Sequence, residues 1–167
     1  MKLYLMRHGI AEETGHGDPV RDRERRLTPV GAERVREIAR GLRRLRVKPD
    51  VLLTSPLVRA RQTAEIVAEV LGLSDRLEET EHLGVPPDST ALVRQLNKLR
   101  PRPEAVMLVG HEPHLSEFTA LLIAGTSGAA LAFKKGGLAR LEAPTLEAGR
   151  CATLEWLLPP RALRRLG

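Results

Sequence analysis

Three short apolar runs, Leu3 to Met6, Val51 to Leu53 and Val106 to Val109, recur along the chain, and polar or charged residues follow each one. Between them lie longer segments with apolar residues at steps of three and four. Short continuous apolar runs read as buried strands, and the three-four spacing reads as helices with one buried face. Strand and helix therefore alternate. That pattern gives an α/β fold with a mostly parallel central sheet and helices on both faces.

The boundaries follow from local signals. Residues 2–6 form the first strand, and 10–27, polar and rich in Gly and Pro, form a loop. Thr28 can cap a helix that has Pro29 at its first position. Val35, Ile38, Leu42 and Leu45 make its apolar stripe. Ser55-Pro56 opens the next helix, whose inner face is Ala60, Ala64, Val67 and Leu71, and Gly72 ends it. A short strand at 76–81 and a helix over 89–99 come before the strand of "EAVMLVGH". Pro113 starts a helix that runs to about Ala124, and 125–137 is loop-like. "GLARLEA" and "ATLEWLL" are two strands joined by a turn near Leu146–Arg150, close enough to pair antiparallel. The tail reads as short and basic.

The 167 residues are expected to make one domain. No run of 18 apolar residues is present, so no membrane span is expected. The amino terminus lacks the pattern of a signal peptide. Cys151 is the single cysteine, which excludes an internal disulfide. Together these point to a cytoplasmic protein. With 22 arginines against 5 lysines and one asparagine, Asn97, the composition gives a weak thermophile signal.

Net charge is +6, and residues 21–48 alone hold 11 Arg or Lys against 4 Asp or Glu. Such a field attracts acidic partners, although a solvated helix face accounts for most of these arginines. Single-stranded nucleic acid would need aromatic stacking platforms. The chain has only Tyr4, Phe118, Phe133 and Trp156, so no nucleic acid is expected.

The chemistry gathers at three strand ends, "MRHG", "TSPLVRARQTA" and "VGHEPH". Ligand sites in α/β sheets lie outside the carboxyl ends of the strands. Taken alone, Arg7 and His8 read equally well as an exposed basic pair. Convergence of the three ends would bring Arg7, His8, Arg59 and His111 together. Two guanidiniums offer forked donors matched to phosphate oxygens. Arg59 falls in the first turn of its helix, where the dipole also favours an anion. Neighbouring cations disfavour a charged His8, and a neutral imidazole can act as a nucleophile. The constellation reads as phosphoryl transfer through a phosphohistidine.

"LYLMRHG", "SPLVRARQTA" and "VGHEPHL", in that order, resemble the histidine phosphatase superfamily, also called phosphoglycerate-mutase-like. By that resemblance His8 is the phospho-accepting histidine, Arg7 and Arg59 clamp the phosphate, and His111 binds the phosphoryl group. "RHGIA", "RRLTPVG" and the compact length are similar to the SixA-type phosphohistidine phosphatases. Only 23 residues lie between Glu81 and Ala105, which implies a compact phosphoglycerate-mutase-like fold without a cap insertion. An open site suits a phosphorylated side chain on a phosphocarrier or phosphorelay protein. Larger family members use a carboxylate to protonate the leaving alcohol. Glu81 lies where such an acid could fall, and Asp18 is a weaker candidate. An imidazole leaving group, with a conjugate-acid pKa of roughly 6.5, needs much less of that help.

No cofactor is implied. Alternatives in other directions are a small-molecule phosphomonoesterase and a non-catalytic binder of phosphorylated proteins. His111 and His114 are three apart with a proline between, not the H-E-x-x-H zinc spacing, so His114 reads as a surface residue. His16 and His82 read as exposed loop histidines, and Cys151 as a small buried apolar residue. Lys134-Lys135-Gly136-Gly137 reads as an exposed basic turn.

Overall fold

The computed structural model describes residues 1–13 and 19–167; His16 and Asp18 lie outside them. Among the described residues six strands form one sheet: β1 (Lys2–Arg7), β2 (Val51–Thr54), β3 (Leu77–Glu79), β4 (Ala105–Gly110), β5 (Leu138–Glu142) and β6 (Thr153–Leu158). Their order across the sheet is β3-β2-β4-β1-β5-β6. β1 to β4 are parallel, β5 is antiparallel to β1, and β6 is antiparallel to β5. The last pair matches the expectation from sequence, because a connection this short returns the chain beside itself. β4 is buried along its whole length, as a central parallel strand covered on both faces must be.

Among the described residues the α-helices are α1 (Pro19–Glu24), α2 (Pro29–Arg44), α3 (Val58–Leu71), α4 (Ser89–Lys98), α5 (His114–Ala124) and α6 (Pro160–Leu166). Side chains alternate across a strand, and this splits the core in two. Met6, Leu52, Met107 and Val109 pack with Ile38 and Leu42 of α2, Ala64 and Val67 of α3, and Leu163 of α6. Leu3, Leu5, Val106 and Leu108 pack with Leu92 and Leu96 of α4 and with Leu115, Phe118 and Leu122 of α5.

The capping signals act as the sequence suggests. Thr28 Oγ1 accepts from Gly31 N–H at 2.9 Å, with Pro29 in the first turn. Such a cap is worth about 1 kcal/mol. Gly72 ends α3 in the left-handed conformation. Asp88 caps α4 by accepting from Ala91 N–H at 2.8 Å.

Several local expectations differ from the structure. α3 starts at Val58, three residues after Ser55. Ser55 N–H donates to Val109 O instead, which prolongs the β2–β4 pairing. The 10–27 segment is not all loop: it contains α1, and Ala11 bridges Leu27. The basic tail is helix α6, held to α2 through buried Leu163. Leu45 caps the end of α2 and is exposed, so the buried stripe stops at Leu42.

Three side chains differ in burial from their sequence reading. His114 is buried, not on the surface, because the first turn of α5 faces the start of α4. Its Nε2 pairs with Ser89 Oγ at 3.0 Å, and its ring packs on Phe118. Burial, partly offset by Asp88, pushes its pKa down to about 4. Cys151 is half-buried and precedes β6, its thiol donating to Glu147 O. His82 is half-buried.

Candidate active site

β2, β4 and β1 are neighbours in the sheet: β1 and β4 end level, with Arg7 opposite Gly110, and β2 ends one residue short of them, with Thr54 opposite Val109. The next residue of each strand is therefore Ser55, His111 or His8, and all three are delivered to one place. His8 N–H donates to Gly110 O at 3.0 Å, which locks the β1 exit against β4. The His8 and His111 ring centroids are 5.1 Å apart, tilted by 52°. His8, Arg59 and His111 are 4%, 4% and 5% exposed.

Each side chain is held from behind. His8 Nδ1 lies 2.7 Å from Gly9 O. A carbonyl only accepts, so Nδ1 carries the proton and Nε2 the lone pair. Burial depresses the His8 pKa most, followed by His111 and then by Arg59 and Arg7, and it falls to about 2. Burial and then Arg59 push His111 down to about 3. Both rings are therefore neutral at pH 7. His111 Nε2 pairs with Ser55 Oγ at 2.7 Å.

The guanidiniums are positioned by backbone carbonyls. Arg7 donates from Nη1 to Phe133 O at 2.7 Å. The turn that follows Phe133 is bound in return, because Gly136 N–H is shared between Arg7 O and His8 O at 3.0 Å each. Lys134 and Lys135 are exposed as the sequence suggests, but this turn also fixes Arg7. Arg59 donates from Nη1 to Asp22 O at 2.6 Å and pairs through Nη2 with the Asp22 carboxylate at 3.2 Å. Asp22 also meets Arg25 at 2.8 Å. Partial burial acts to raise the Asp22 pKa, but Arg59 and Arg25 outweigh it and hold the carboxyl below its ordinary value.

Thr63 ties the site together. Its hydroxyl donates to Arg59 O at 2.7 Å and accepts from Gly9 N–H at 3.0 Å. The loop after His8 is thus fastened to the helix that carries Arg59. Sequence reasoning passed over Thr63, Ser55 and Asp22 as site residues. Only Thr63 had a signal, standing one helical turn after Arg59 in "RARQT".

The structure brings Arg7, His8, Arg59 and His111 together. Glu81 is exposed, in a single 3-10 turn over Glu81–Leu83 that follows Thr80, whose N–H donates to Thr54 O beside Ser55, and its carboxylate has no hydrogen-bonded or ionic partner among the described residues. Arg7 Nε, Arg59 Nε and His111 Nδ1 are buried nitrogens without a hydrogen-bond partner. Buried groups of this kind call for a ligand or a structural reason. An oxyanion with several lone pairs would satisfy them. The ring of His111 faces Ser55, while that of His114 faces Ser89, so the two histidines do not share a metal position. Among the described residues no cluster of three or more His, Cys, Asp or Glu could hold a metal ion, and no helix is long and apolar enough to cross a membrane.

A neutral imidazole with a free lone pair, flanked by two guanidiniums, can take a phosphoryl group. Known proteins resemble the chain in sequence and in fold. The profile described as "Histidine phosphatase superfamily (branch 1)" matches residues 3–84. An uncharacterised protein of Picosynechococcus sp. is 36% identical over 171 residues, covering 95% of this chain and 100% of that one. Phosphohistidine phosphatase SixA of Escherichia coli is 28% identical over 165 residues, covering 98% of this chain and 97% of its own. The solved structure of the protein histidine phosphatase SixA complexed with tungstate superposes with a TM-score of 0.82 at 26% identity, covering 98% of this chain and 99% of that one. An alpha-ribazole phosphatase from Shigella flexneri, 19% identical, covers 96% of this chain and 97% of its own, and is alike in fold at a TM-score of 0.66. The sheet, the strand-end motifs and these likenesses agree: the chain belongs to the histidine phosphatase superfamily and is SixA-like in sequence and in its phosphoglycerate-mutase-like fold.

Proposed function

We propose that the protein removes a phosphoryl group from phosphohistidine on another protein, through a phospho-His8 intermediate. His8 Nε2 attacks phosphorus in line. The P–N bond to the substrate imidazole breaks as the new P–N bond forms, and the substrate ring, protonated on its other nitrogen, takes the electron pair and leaves as neutral imidazole. Arg7, Arg59 and His111 bind the equatorial oxygens and stabilise charge that shifts onto them in the transition state. Water then attacks phospho-His8, releasing inorganic phosphate and the neutral ring.

One observation carries this reading. A buried, neutral His8, its Nδ1 bound to Gly9 O, stands beside buried nitrogens of Arg7, Arg59 and His111 that have no hydrogen-bond partner. Two further observations favour phosphohistidine over a phosphate ester. No hydrogen bond or ion pair among the described residues holds the Glu81 carboxylate in a fixed place, which suits a substrate that needs little help from such an acid. An imidazole leaving group has a conjugate acid near pKa ~6.5 and leaves with little such help. The segment that would hold a cap instead places Leu92, Val93 and Leu96 of α4 in the core. The likeness to E. coli phosphohistidine phosphatase SixA supports the same substrate class.

The test is paired turnover, wild type against His8→Ala, on a histidine-phosphorylated protein domain and on a generic phosphate ester. Release from the protein that is lost in the variant supports the reading. Release from the ester alone overturns it in favour of a small-molecule phosphomonoesterase. No His8-dependent release from either leaves a phosphoprotein-binding module.

A further inference from the structure

A second feature adjoins the site without belonging to it. α2, α6 and the Lys134–Gly137 turn enclose a crevice of about 920 Å³, with Val35, Ile38 and Pro160 in its walls and Gly9 and Arg7 at its edge. Its rim is cationic. Arg40 and Arg164 are occupied by Glu33 and Glu37. Arg34, Lys134, Lys135, Arg161 and Arg165 also line it, and none has an ion-pair partner among the described residues. All five are exposed, on three separate elements. Like charges on neighbouring elements repel, so no folding advantage gathers them here. A complementary anionic surface would relieve that repulsion.

The crevice is coupled to the site through shared backbone. The turn bearing Lys134 and Lys135 binds Arg7 by Phe133 O and binds both Arg7 O and His8 O by Gly136 N–H. Small-ligand pockets are mostly apolar, with a few fixed polar groups. Here the groups are long, exposed and spread over a wide rim, which suits a wet, charged protein contact that speeds encounter and sets orientation.

We infer that this basic crevice docks an acidic segment of the protein whose phosphorylated histidine enters the site. The inference rests on the proposed function. Docking would hold the phosphoryl group over His8 by contacts that a small substrate never makes.

The experiment measures kcat/KM on an acidic histidine-phosphorylated protein domain and on phosphoramidate, across ionic strength. It compares wild type, Arg34→Gln/Arg161→Gln/Arg165→Gln, and the matching triple Lys variant. For wild type, protein turnover should fall steeply with salt and phosphoramidate turnover should not. The Gln variant should lose about tenfold in kcat/KM on the protein at low salt, have a flatter salt dependence, and keep its phosphoramidate turnover. The Lys variant should retain most of the protein activity. A hexaglutamate peptide should compete with the protein substrate only. Wild-type protein turnover unaltered in the Gln variant overturns the docking surface alone. Phosphoramidate turnover with none on the protein overturns the substrate reading and the docking surface together.

Discussion

His8 and His111 face each other with ring centroids 5.1 Å apart because β1 and β4 are adjacent parallel strands paired level at Arg7 and Gly110. Two imidazoles so close, buried and near guanidiniums, cannot readily take up protons. Their pKa values fall to about 2 and about 3.

Stability should therefore drop in acid. The folded values lie below the ~6.5 of a free histidine, so between those limits the unfolded chain binds more protons. The stabilising contribution is complete above pH ~6.5 and is lost as pH falls toward the folded values, by at most about 1.4 kcal/mol per pH unit for each histidine. Urea unfolding at pH 7.5 and 5 measures this, and His8→Gln/His111→Gln should flatten the profile. NMR of the ring protons should show no titration of His8 between pH 8 and 5. A wild-type midpoint near 6.5 would refute the description.

Asp22 competes with an anion for Arg59. Its carboxylate holds Nη2 while its backbone carbonyl holds Nη1, so Asp22→Asn keeps the guanidinium in place and removes the charge. The Asp22 side chain is 43% exposed, which limits the effect to that of a partly solvated ion pair. Inorganic phosphate should bind about two- to five-fold more tightly to the variant, read as its inhibition constant or by calorimetry. Weaker binding would show that Asp22 assists anion binding.

Ser55 acts on His111. Its hydroxyl pairs with Nε2 at 2.7 Å and also accepts from Leu57 N–H at 3.3 Å, ahead of α3. Ser55→Ala should cost about 1 kcal/mol of stability, the worth of an ordinary hydrogen bond. It should lower kcat more than it raises KM, and Ser55→Thr should recover part of the loss. An unchanged kcat would remove Ser55 from the positioning of His111.

Gly9 has no room for a side chain. A Cβ there would lie 2.6 Å from Val35 Cγ2, a β-branched side chain with little freedom to move. Gly9→Ala should destabilise by roughly 1–3 kcal/mol and impair turnover, because the loop that accepts from His8 is displaced. Gly9→Ala/Val35→Ala should be less impaired than the sum of the single changes. Simple additivity of the two would exclude this contact as the cause.

The sequence by itself determined the strands, the order of the three motifs and the four residues Arg7, His8, Arg59 and His111. Those signals are local: apolar runs of strand length, Thr28-Pro29 at a helix start, Gly72 at a helix end. Strand-end position then carries the chemistry, since β2, β4 and β1 are neighbours whose carboxyl ends fall within one residue of each other. Only the tertiary structure decided the rest. α6 has one buried apolar residue, Leu163, and no periodic stripe, so its helix depends on contact with α2. His114 looks like a surface residue until α4 covers it with Ser89. Asp22 reaches Arg59 across 37 residues of sequence, and Phe133 reaches Arg7 across 126. Such pairs leave no periodicity and no fixed spacing. They arise when distant segments are closed onto the same sheet edge, and there a carbonyl or carboxylate meets a buried guanidinium that must be paired.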